Sequence, residues 1–437
     1  MNKAEKDKIQ KEIIDSLDKN PQGRLLLAPR VGKSKIGIDL IKREKYKSIL
    51  WVTPSAELAD VDIPAEFDKW GAKRYKKLLT TSTWMSLNKI QGEFDVIILD
   101  EEQFMTANNA ENLLNGSLKG RIVSMTGTAS KHDHKKELYK QLNLSVLYKI
   151  SINDAVDMKL LANYTLKIVE VDMHEGKTIE AGNKDKRFMT SERKQYEYLH
   201  NVAQQSIFQR RSDMTFRILA RMRAIKDSPA KTEAAQWLIK NLEGRKLIFS
   251  ATIKQAEDLC QHTYHSKTDN IDLKKFQAGN IDEIAMVNAG GTGFTYKKLD
   301  HLIMTQIDSD KNGLTSQKIA RTLLDQKDYK ATVWIISLVG TQDEKWVQSV
   351  LANFDKTKVE YLRFKNMVNH HIDEKGNLLI EDTNVVIPLS KATVHKDSIS
   401  IGNALDNLQA FKDAGVKEIV MGKNTYEIDG FKNVNKE

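Results

Sequence analysis

The chain has 437 residues, enough for two or three domains with real cores. Its 68 Lys and Arg against 59 Asp and Glu give a formal net charge of +9, a balance that favours polyanion partners. No apolar run approaches the roughly 20 residues that span a bilayer, the opening Met1-Asn2-Lys3-Ala4-Glu5-Lys6 has no apolar signal core, and the single cysteine, Cys260, excludes an internal disulfide; the expectation is a cytoplasmic protein with no membrane partner.

Residues 4–19 place Ile9, Ile13, Ile14 and Leu17 on one helical face. Strands are predicted at 24–28, 48–53, 96–100 and 121–125, alternating with helices at 33–45, 56–68, 110–115 and 135–142. Short apolar strands between helices predict a parallel sheet covered on both faces. A second series, 164–171, 246–250, 284–288, 301–305 and 332–338, predicts a second α/β unit. Between its first two strands lies a helical block rich in basic residues, read as an insertion at about 175–230. Phe208, Phe216, Leu219 and Met222 recur there at helical spacing and are expected to form a core stripe. From about 366 the character changes, and Gly376-Asn377 sits between candidate strands 370–373 and 378–381. The expected organisation is therefore 1–150, 151–365 and a small C-terminal appendage, 366–437.

The apolar run Leu25-Leu26-Leu27 ends in Ala28-Pro29-Arg30-Val31-Gly32-Lys33-Ser34. A strand feeding such a turn, followed by a helix, is how a protein wraps a triphosphate. The backbone N–H groups of Arg30, Val31, Gly32, Lys33 and Ser34 would face phosphates, the Lys33 ammonium would reach the outer ones, and the Ser34 hydroxyl would ligate Mg²⁺. Leu27 and Arg30 stand where such loops often carry glycine. Val96-Ile97-Ile98-Leu99 is a buried-strand pattern with Asp100 and Glu101 at its C-terminal end, where ligands bind open α/β sheets. Asp100 fits a carboxylate that holds Mg²⁺ and Glu101 one that activates water; an acidic helix cap is the other reading of this pair.

Over residues 10 to about 350 the chain resembles superfamily 2 helicases and translocases. Asp100-Glu101-Glu102-Gln103 is similar to their Asp-Glu-x-x box, and Ser124-Met125-Thr126-Gly127-Thr128-Ala129 to their coupling motif. The resemblance implies that Gln103, Thr126 and Thr128 connect the ATP site to a nucleic-acid track. Thr53-Pro54-Ser55 and Thr80-Thr81-Ser82-Thr83-Trp84 resemble the segments whose hydroxyls and helix starts hold backbone phosphates, although Ser and Thr also cap helices. Gln10 lies where relatives place an adenine-reading Gln, and a solvated helix residue is the alternative. In the second unit, Ser250-Ala251-Thr252 closes a strand similar to the family's opening one. Ala289-Gly290-Gly291-Thr292-Gly293 resembles the Gly-rich segment of the Swi/Snf-like branch, with Gly291 and Gly293 letting backbone approach phosphate.

Ser316-Gln317-Lys318-Ile319-Ala320-Arg321 resembles the Gln-x-x-Gly-Arg-x-x-Arg motif, which implies that Gln317 and Arg321 reach the γ-phosphate across the cleft. Leu324 stands where a second arginine is expected. The arginines of the inserted block, Arg210 and Arg211 foremost, either line a nucleic-acid groove or form a solvated face. His132/His134 and His370/His371 lack metal-ligand spacing. The resemblance implies two tandem RecA-like parallel-sheet domains with a helical insertion in the second. It also implies ATP and Mg²⁺ as cofactors and an ATP-dependent DNA helicase or translocase, with DNA, branched or single-stranded, favoured over RNA. Its compact size is similar to that of virus-encoded helicases, for which the location is host cytoplasm. The alternatives are a nuclease-free motor subunit of a restriction or repair complex, an RNA helicase, and an ATP-binding clamp with weak hydrolysis.

Overall fold

A computed structural model describes residues 3–127, 129–182, 186–287, 299–310, 313–323 and 330–368, with the strand residues 371–372, 378–379, 418–421 and 424–427. The first unit runs α1 (Lys3–Asp15), β1 (Gly23–Leu27), α2 (Lys33–Glu44), β2 (Ile49–Thr53), α3 (Ile63–Lys69), β3 (Leu79–Thr83), β4 (Gly92–Asp100), α4 (Glu111–Leu114), β5 (Leu118–Thr126), α5 (Asp133–Gln141) and β6 (Val146–Ile150). Its strands form one parallel sheet in the order β3-β2-β4-β5-β1-β6. Every residue of β1 and β2 is buried, because helices cover both faces and an interior strand must then be apolar on both. Trp51 of β2 meets Phe67 of α3 edge to face at 5.9 Å, fixing one such layer.

The order of strands makes the site. From β1 the chain crosses past two positions to build β2, and β5 later returns to lie between β4 and β1. The loops that leave β1 and β4 therefore emerge on either side of β5, at the C-terminal edge where the winding reverses and ligands bind.

A short helix, α6 (Ile152–Asp157), opened by a Ser151–Asp154 capping box, leads into the second unit. This runs β7 (Asn163–Val171), β8 (Ile179–Gly182), β9 (Arg187–Thr190), α7 (Glu192–Phe208), α8 (Met214–Lys226), α9 (Pro229–Asn241), β10 (Lys246–Ser250), α10 (Ile253–Leu259), β11 (Thr263–Tyr264), α11 (Ile271–Ala278), β12 (Glu283–Val287), β13 (His301–Met304), α12 (Leu314–Thr322), β14 (Lys330–Leu338), α13 (Gln342–Leu351) and β15 (Val359–Arg363). Its parallel sheet has the order β11-β12-β10-β13-β14-β7-β15. The wholly buried Lys231–Asp343 pair, 2.5 Å apart, pins α9 to α13, and Lys231 Nζ also donates to Thr305 O at 3.0 Å. Two parallel sheets in tandem, each with its own helices, are the architecture that the sequence pattern predicts.

Three expectations need correction. The strands that the pattern omits, β3, β6, β11 and β15, are the four sheet edges. The insertion is not purely helical, because β8 and β9 pair as an antiparallel hairpin ahead of α7 and α8. Phe208 and Phe216 are not core: they are 90% and 70% exposed, and of the expected stripe only Met222 packs against the core. Beyond 368, His371–Ile372 pairs antiparallel with Leu378–Leu379, as the Gly376-Asn377 turn predicts. Glu418–Met421 pairs with Asn424–Glu427 in the same way.

His301 carries a pH dependence for this fold. It is buried in β13, and Trp334 Nε1 donates to its Nδ1 at 3.2 Å, so the folded state holds it neutral. Burial, with Lys246 and Lys167 adding to it, pushes its pKa from 6.5 down to about 4. The unfolded chain therefore binds a proton that the folded chain refuses, and stability is lost as pH falls from about 6.5 to about 4, by about 3 kcal/mol in all. A His301→Gln chain should lose that limb of the pH profile of thermal unfolding; an unchanged profile refutes the assignment.

Candidate nucleotide site between the two sheets

The loop after β1 turns through Arg30 at φ 73° and Gly32 at φ 99°. Glycine takes this left-handed region freely, whereas Arg30 holds it at a cost of about 1 kcal/mol. Gly32 is the N-cap of α2, and no side chain makes a capping hydrogen bond to the first turn of that helix. Gln10 supports this loop from α1. It is 2% exposed, its Nε2 donates to Val31 O at 2.7 Å, and its Oε1 accepts from Lys35 Nζ at 2.8 Å. A Cβ on Gly32 would lie 2.5 Å from Gln10 Nε2, so the loop closes on Gln10 only with glycine there. Burial overturns the solvated alternative for Gln10. Ser34 stands half-buried in the first turn of α2.

Asp100 ends β4, and Glu101 follows it at φ 53°, a strained conformation for a non-glycine residue. Lys33 Nζ donates to Glu101 Oε1 at 2.5 Å. Arg321 Nη2, from α12 of the second unit, donates to the same oxygen at 3.0 Å. Gln103 Nε2 donates to Glu101 Oε2 at 3.0 Å. Burial works against the Glu101 charge, but Lys33 and Arg321 outweigh it and bring the pKa down to about 2. Burial, with Glu101 adding to it, pushes Asp100 up to about 6 against the pull of Lys33 and Arg321. Asp100 Oδ1 and Arg321 Nε are both buried without a hydrogen-bond partner.

A second chain of contacts crosses between the units. Thr126 Oγ1 donates to Gln103 Oε1 at 2.6 Å, and Gln317 Nε2 donates to Thr126 Oγ1 at 3.5 Å. A Cβ on Gly127 would approach the Gln317 amide to 3.0 Å, so the glycine admits α12 this close. The residues expected to couple or catalyse, Lys33, Glu101, Gln103, Thr126, Gln317 and Arg321, thus lie in one connected cluster. Thr128, Gly291, Gly293 and Leu324 lie outside the described residues.

The hydroxyl-rich segments meet at the C-terminal ends of β2 and β3. Thr53 Oγ1 donates to Ser55 O at 2.9 Å and lies 3.4 Å from Ser82 O, while Pro54 and Thr81 are half-buried beside them. Trp84 Nε1 donates to Asp100 O at 2.9 Å, joining this edge to the acids. Ser250 is buried at the end of β10, and Thr252 caps α10 by accepting from Gln255 N–H at 3.3 Å. Arg210 and Arg211 are exposed at the turn between α7 and α8, away from this cluster in the chain's wiring.

Sequence reasoning misses the support beneath the acids. Glu102 is wholly buried, and its Oε1 accepts from Arg24 Nε and Nη2 at 2.8 and 2.6 Å. Ser124 Oγ donates to its other oxygen. The Arg24 guanidinium lies 3.7 Å above the Tyr139 ring, and Lys135 Nζ donates to Gln103 O. Burial lowers the Lys135 pKa to about 8, against the pull of Glu102. One carboxylate therefore joins β1, the end of β4, β5 and α5. Glu102 and Ser124 stand inside the two quoted segments, and the signal for their partner is a charged residue, Arg24, heading the apolar strand.

No family model and no curated protein sequence matches the chain. Among solved structures, it is similar to the ATP-dependent type ISP restriction-modification enzyme LlaBIII bound to DNA, with 13% identity over 82% of this chain and a TM-score of 0.51. The match covers 31% of that enzyme, so the chain spans about a third of its length. It is also similar to Dbp5 of S. cerevisiae bound to RNA and ADP BeF3, with 11% identity, 83% of this chain, 91% of that one and a TM-score of 0.51. The fold shared with these structures is two tandem RecA-like parallel-sheet domains. Among the described residues, no helix is long and apolar enough to cross a membrane, and no group of three or more His, Cys, Asp or Glu is placed to hold a metal ion.

Removing one partner of a buried pair leaves an uncompensated charge and costs about 3–5 kcal/mol. Arg24→Met should therefore lower the melting temperature by roughly 10 °C, and Arg24→Met with Glu102→Met should recover most of the loss. A single variant that melts within the range of an exposed ion pair, about 1 kcal/mol, would show that the pair does not hold β1 to β4.

Proposed function

We propose that the chain is an ATP-dependent nucleic-acid motor, a helicase or translocase that acts on DNA. The observation that carries this reading is Glu101, whose one oxygen is shared by Lys33 of the first unit and Arg321 of the second. Two cations from separate units converging on one anion is the arrangement that a γ-phosphate would meet. Without nucleotide, Glu101 stands in for that anion.

With ATP bound, Lys33 and the uncapped N–H groups of α2 take the phosphate oxygens. Glu101, freed from Lys33 and held by Gln103, would orient water and accept its proton as the water oxygen bonds to the γ-phosphorus and the bond from that phosphorus to the β–γ bridging oxygen breaks, the electron pair leaving with ADP. Arg321 stabilises the charge on the transferring phosphoryl group. The donor set suits Mg²⁺: Asp100 Oδ1 is a buried carboxylate oxygen with no partner, and Ser34 sits in the first turn of the phosphate helix. Such an ion would neutralise phosphate charge there. Gln317–Thr126–Gln103–Glu101 is a hydrogen-bonded route by which ATP turnover alters the closure of the units. Trp84, donating to Asp100 O, relates the same acids to the Thr53, Ser55, Thr81 and Ser82 edge, which with Ser250 and Thr252 forms the proposed track for the strand.

The two solved neighbours are described with DNA in one case and RNA in the other. The choice of DNA rests on the Gly-rich segment at 289–293, which resembles DNA translocases. Phosphate release should rise with single-stranded, duplex or branched DNA. Lys33→Ala and Glu101→Gln should cut it by at least about a hundredfold, and Arg321→Ala by about a thousandfold. If no polynucleotide stimulates hydrolysis and these variants match wild type, the motor reading fails. Stimulation by RNA alone would overturn the preference for DNA.

A further inference from the structure

We infer that the tip of the α7–α8 hairpin is a stacking platform for unpaired nucleotides, with Phe208 and Phe216 taking bases and Arg210 and Arg211 the flanking phosphates. This inference rests on the motor reading and adds to it the kind of substrate segment that the insertion holds.

The base of the hairpin is tied to the C-terminal edge of the second sheet. Gln342 N–H, at the start of α13, donates to Tyr196 OH on α7 at 3.0 Å. Lys226, the last residue of α8, pairs with Asp308 beyond β13 at 2.6 Å, and its carbonyl accepts from Gln255 Nε2 in α10 at 3.4 Å. These anchors sit beside Ser250 and Thr252. From Tyr196 the rest of α7 rises about 18 Å to Phe208, and α8 returns. The base of the hairpin is therefore held beside the proposed track, and α7 and α8 carry the tip outward from it.

What the tip exposes is unusual. Phe208 closes α7 at 90% exposure, and Phe216 lies in the first turn of α8 at 70% exposure. A phenylalanine loses its largest favourable term by standing in water, so neither position serves the fold. Between and beside them are Arg210, Arg211, Arg217 and Arg223, against a single acid, Asp213, which Arg211 and Arg217 already engage at 3.2 and 2.7 Å. An apolar protein partner needs no such excess of guanidinium. Flat rings interleaved with cations fit a strand whose bases are free and whose backbone is anionic.

The test uses the full chain and a single-stranded DNA oligonucleotide with an internal 2-aminopurine, with an RNA oligonucleotide of the same sequence as the second arm. Phe208→Ala with Phe216→Ala should weaken single-strand affinity by roughly tenfold or more and abolish the 2-aminopurine signal, at an unchanged melting temperature because both rings are exposed. Trp at both positions should restore binding, and Leu should not. Arg210→Gln with Arg211→Gln should reduce the salt slope of binding by roughly 1.4, two phosphates at about 0.7 each. Wild-type chain that binds no polynucleotide overturns this inference and the motor reading together. Wild-type binding that the Ala pair leaves intact overturns this inference alone. Leu variants that bind as wild type, or Ala variants that lose self-association in sedimentation while keeping strand affinity, would assign the tip to protein contact and overturn it.

Discussion

Everything in the crevice is arranged around the carboxylate of Glu101. It is nearly buried, and burial alone would discharge it; Lys33 from one unit and Arg321 from the other keep it ionised. The same two cations pull Asp100 toward ionisation, yet its burial and the neighbouring Glu101 charge win, and its pKa rises. Adjacent acids on one backbone are thus driven in opposite directions by about one residue's difference in position. One of the contacts between the units, Glu101 with Arg321, is an ion pair that an incoming anion can replace.

That arrangement depends on a layer below it. Glu101 occupies a left-handed conformation that the backbone would leave if it were free to do so. The following residue, Glu102, is held by Arg24 and Ser124, and the next, Gln103, by Thr126 and the Lys135 ammonium. The two side chains that follow Glu101 are therefore fixed from β1 and β5, and α5 holds the Gln103 carbonyl. A buried ion pair is weak evidence of net stability, because well-packed apolar residues often do as well. Its use here is positional: Arg24 and Glu102 specify where the strained turn sits relative to the phosphate loop, which grows from the same strand as Arg24.

The interior of each sheet was legible in the sequence, and its edges were not. β1, β2, β4, β10 and β14 each carry a buried apolar run of three or more residues, as strands covered on both faces do. The strands that escaped notice, β3, β6, β11 and β15, each have a free side. Leu79-Thr80-Thr81-Ser82-Thr83 and Val146-Leu147-Tyr148-Lys149-Ile150 mix polar and apolar residues without clear alternation. Their partners, not their composition, make them strands. In the crevice, residue types that carry chemistry were visible because Gly-Lys-Ser and Asp-Glu are short, ordered patterns. The side chains that hold them, Arg24, Ser124, Lys135 and Tyr139, come from three places in the chain, β1, β5 and α5, and share no common pattern, so only the folded arrangement brings them together.

Gln10 and the inserted hairpin show the same limit from opposite sides. Helical spacing puts Gln10 among polar neighbours on α1, yet the phosphate loop folds over it and buries it. Helical spacing puts Phe208 and Phe216 on an apolar stripe, yet the hairpin reaches past the sheet and leaves both in solvent. Periodicity reports which face of a helix differs from the other; it does not say what lies opposite that face. At Gln10 the opposing surface is the loop backbone, whose carbonyl accepts the amide. At the hairpin tip the described residues provide no opposing surface, and the excess of arginine around the two rings is the only chemical statement of what would complete it. A stripe that breaks the rule of burial while its neighbours obey it is best explained by what it meets outside the chain.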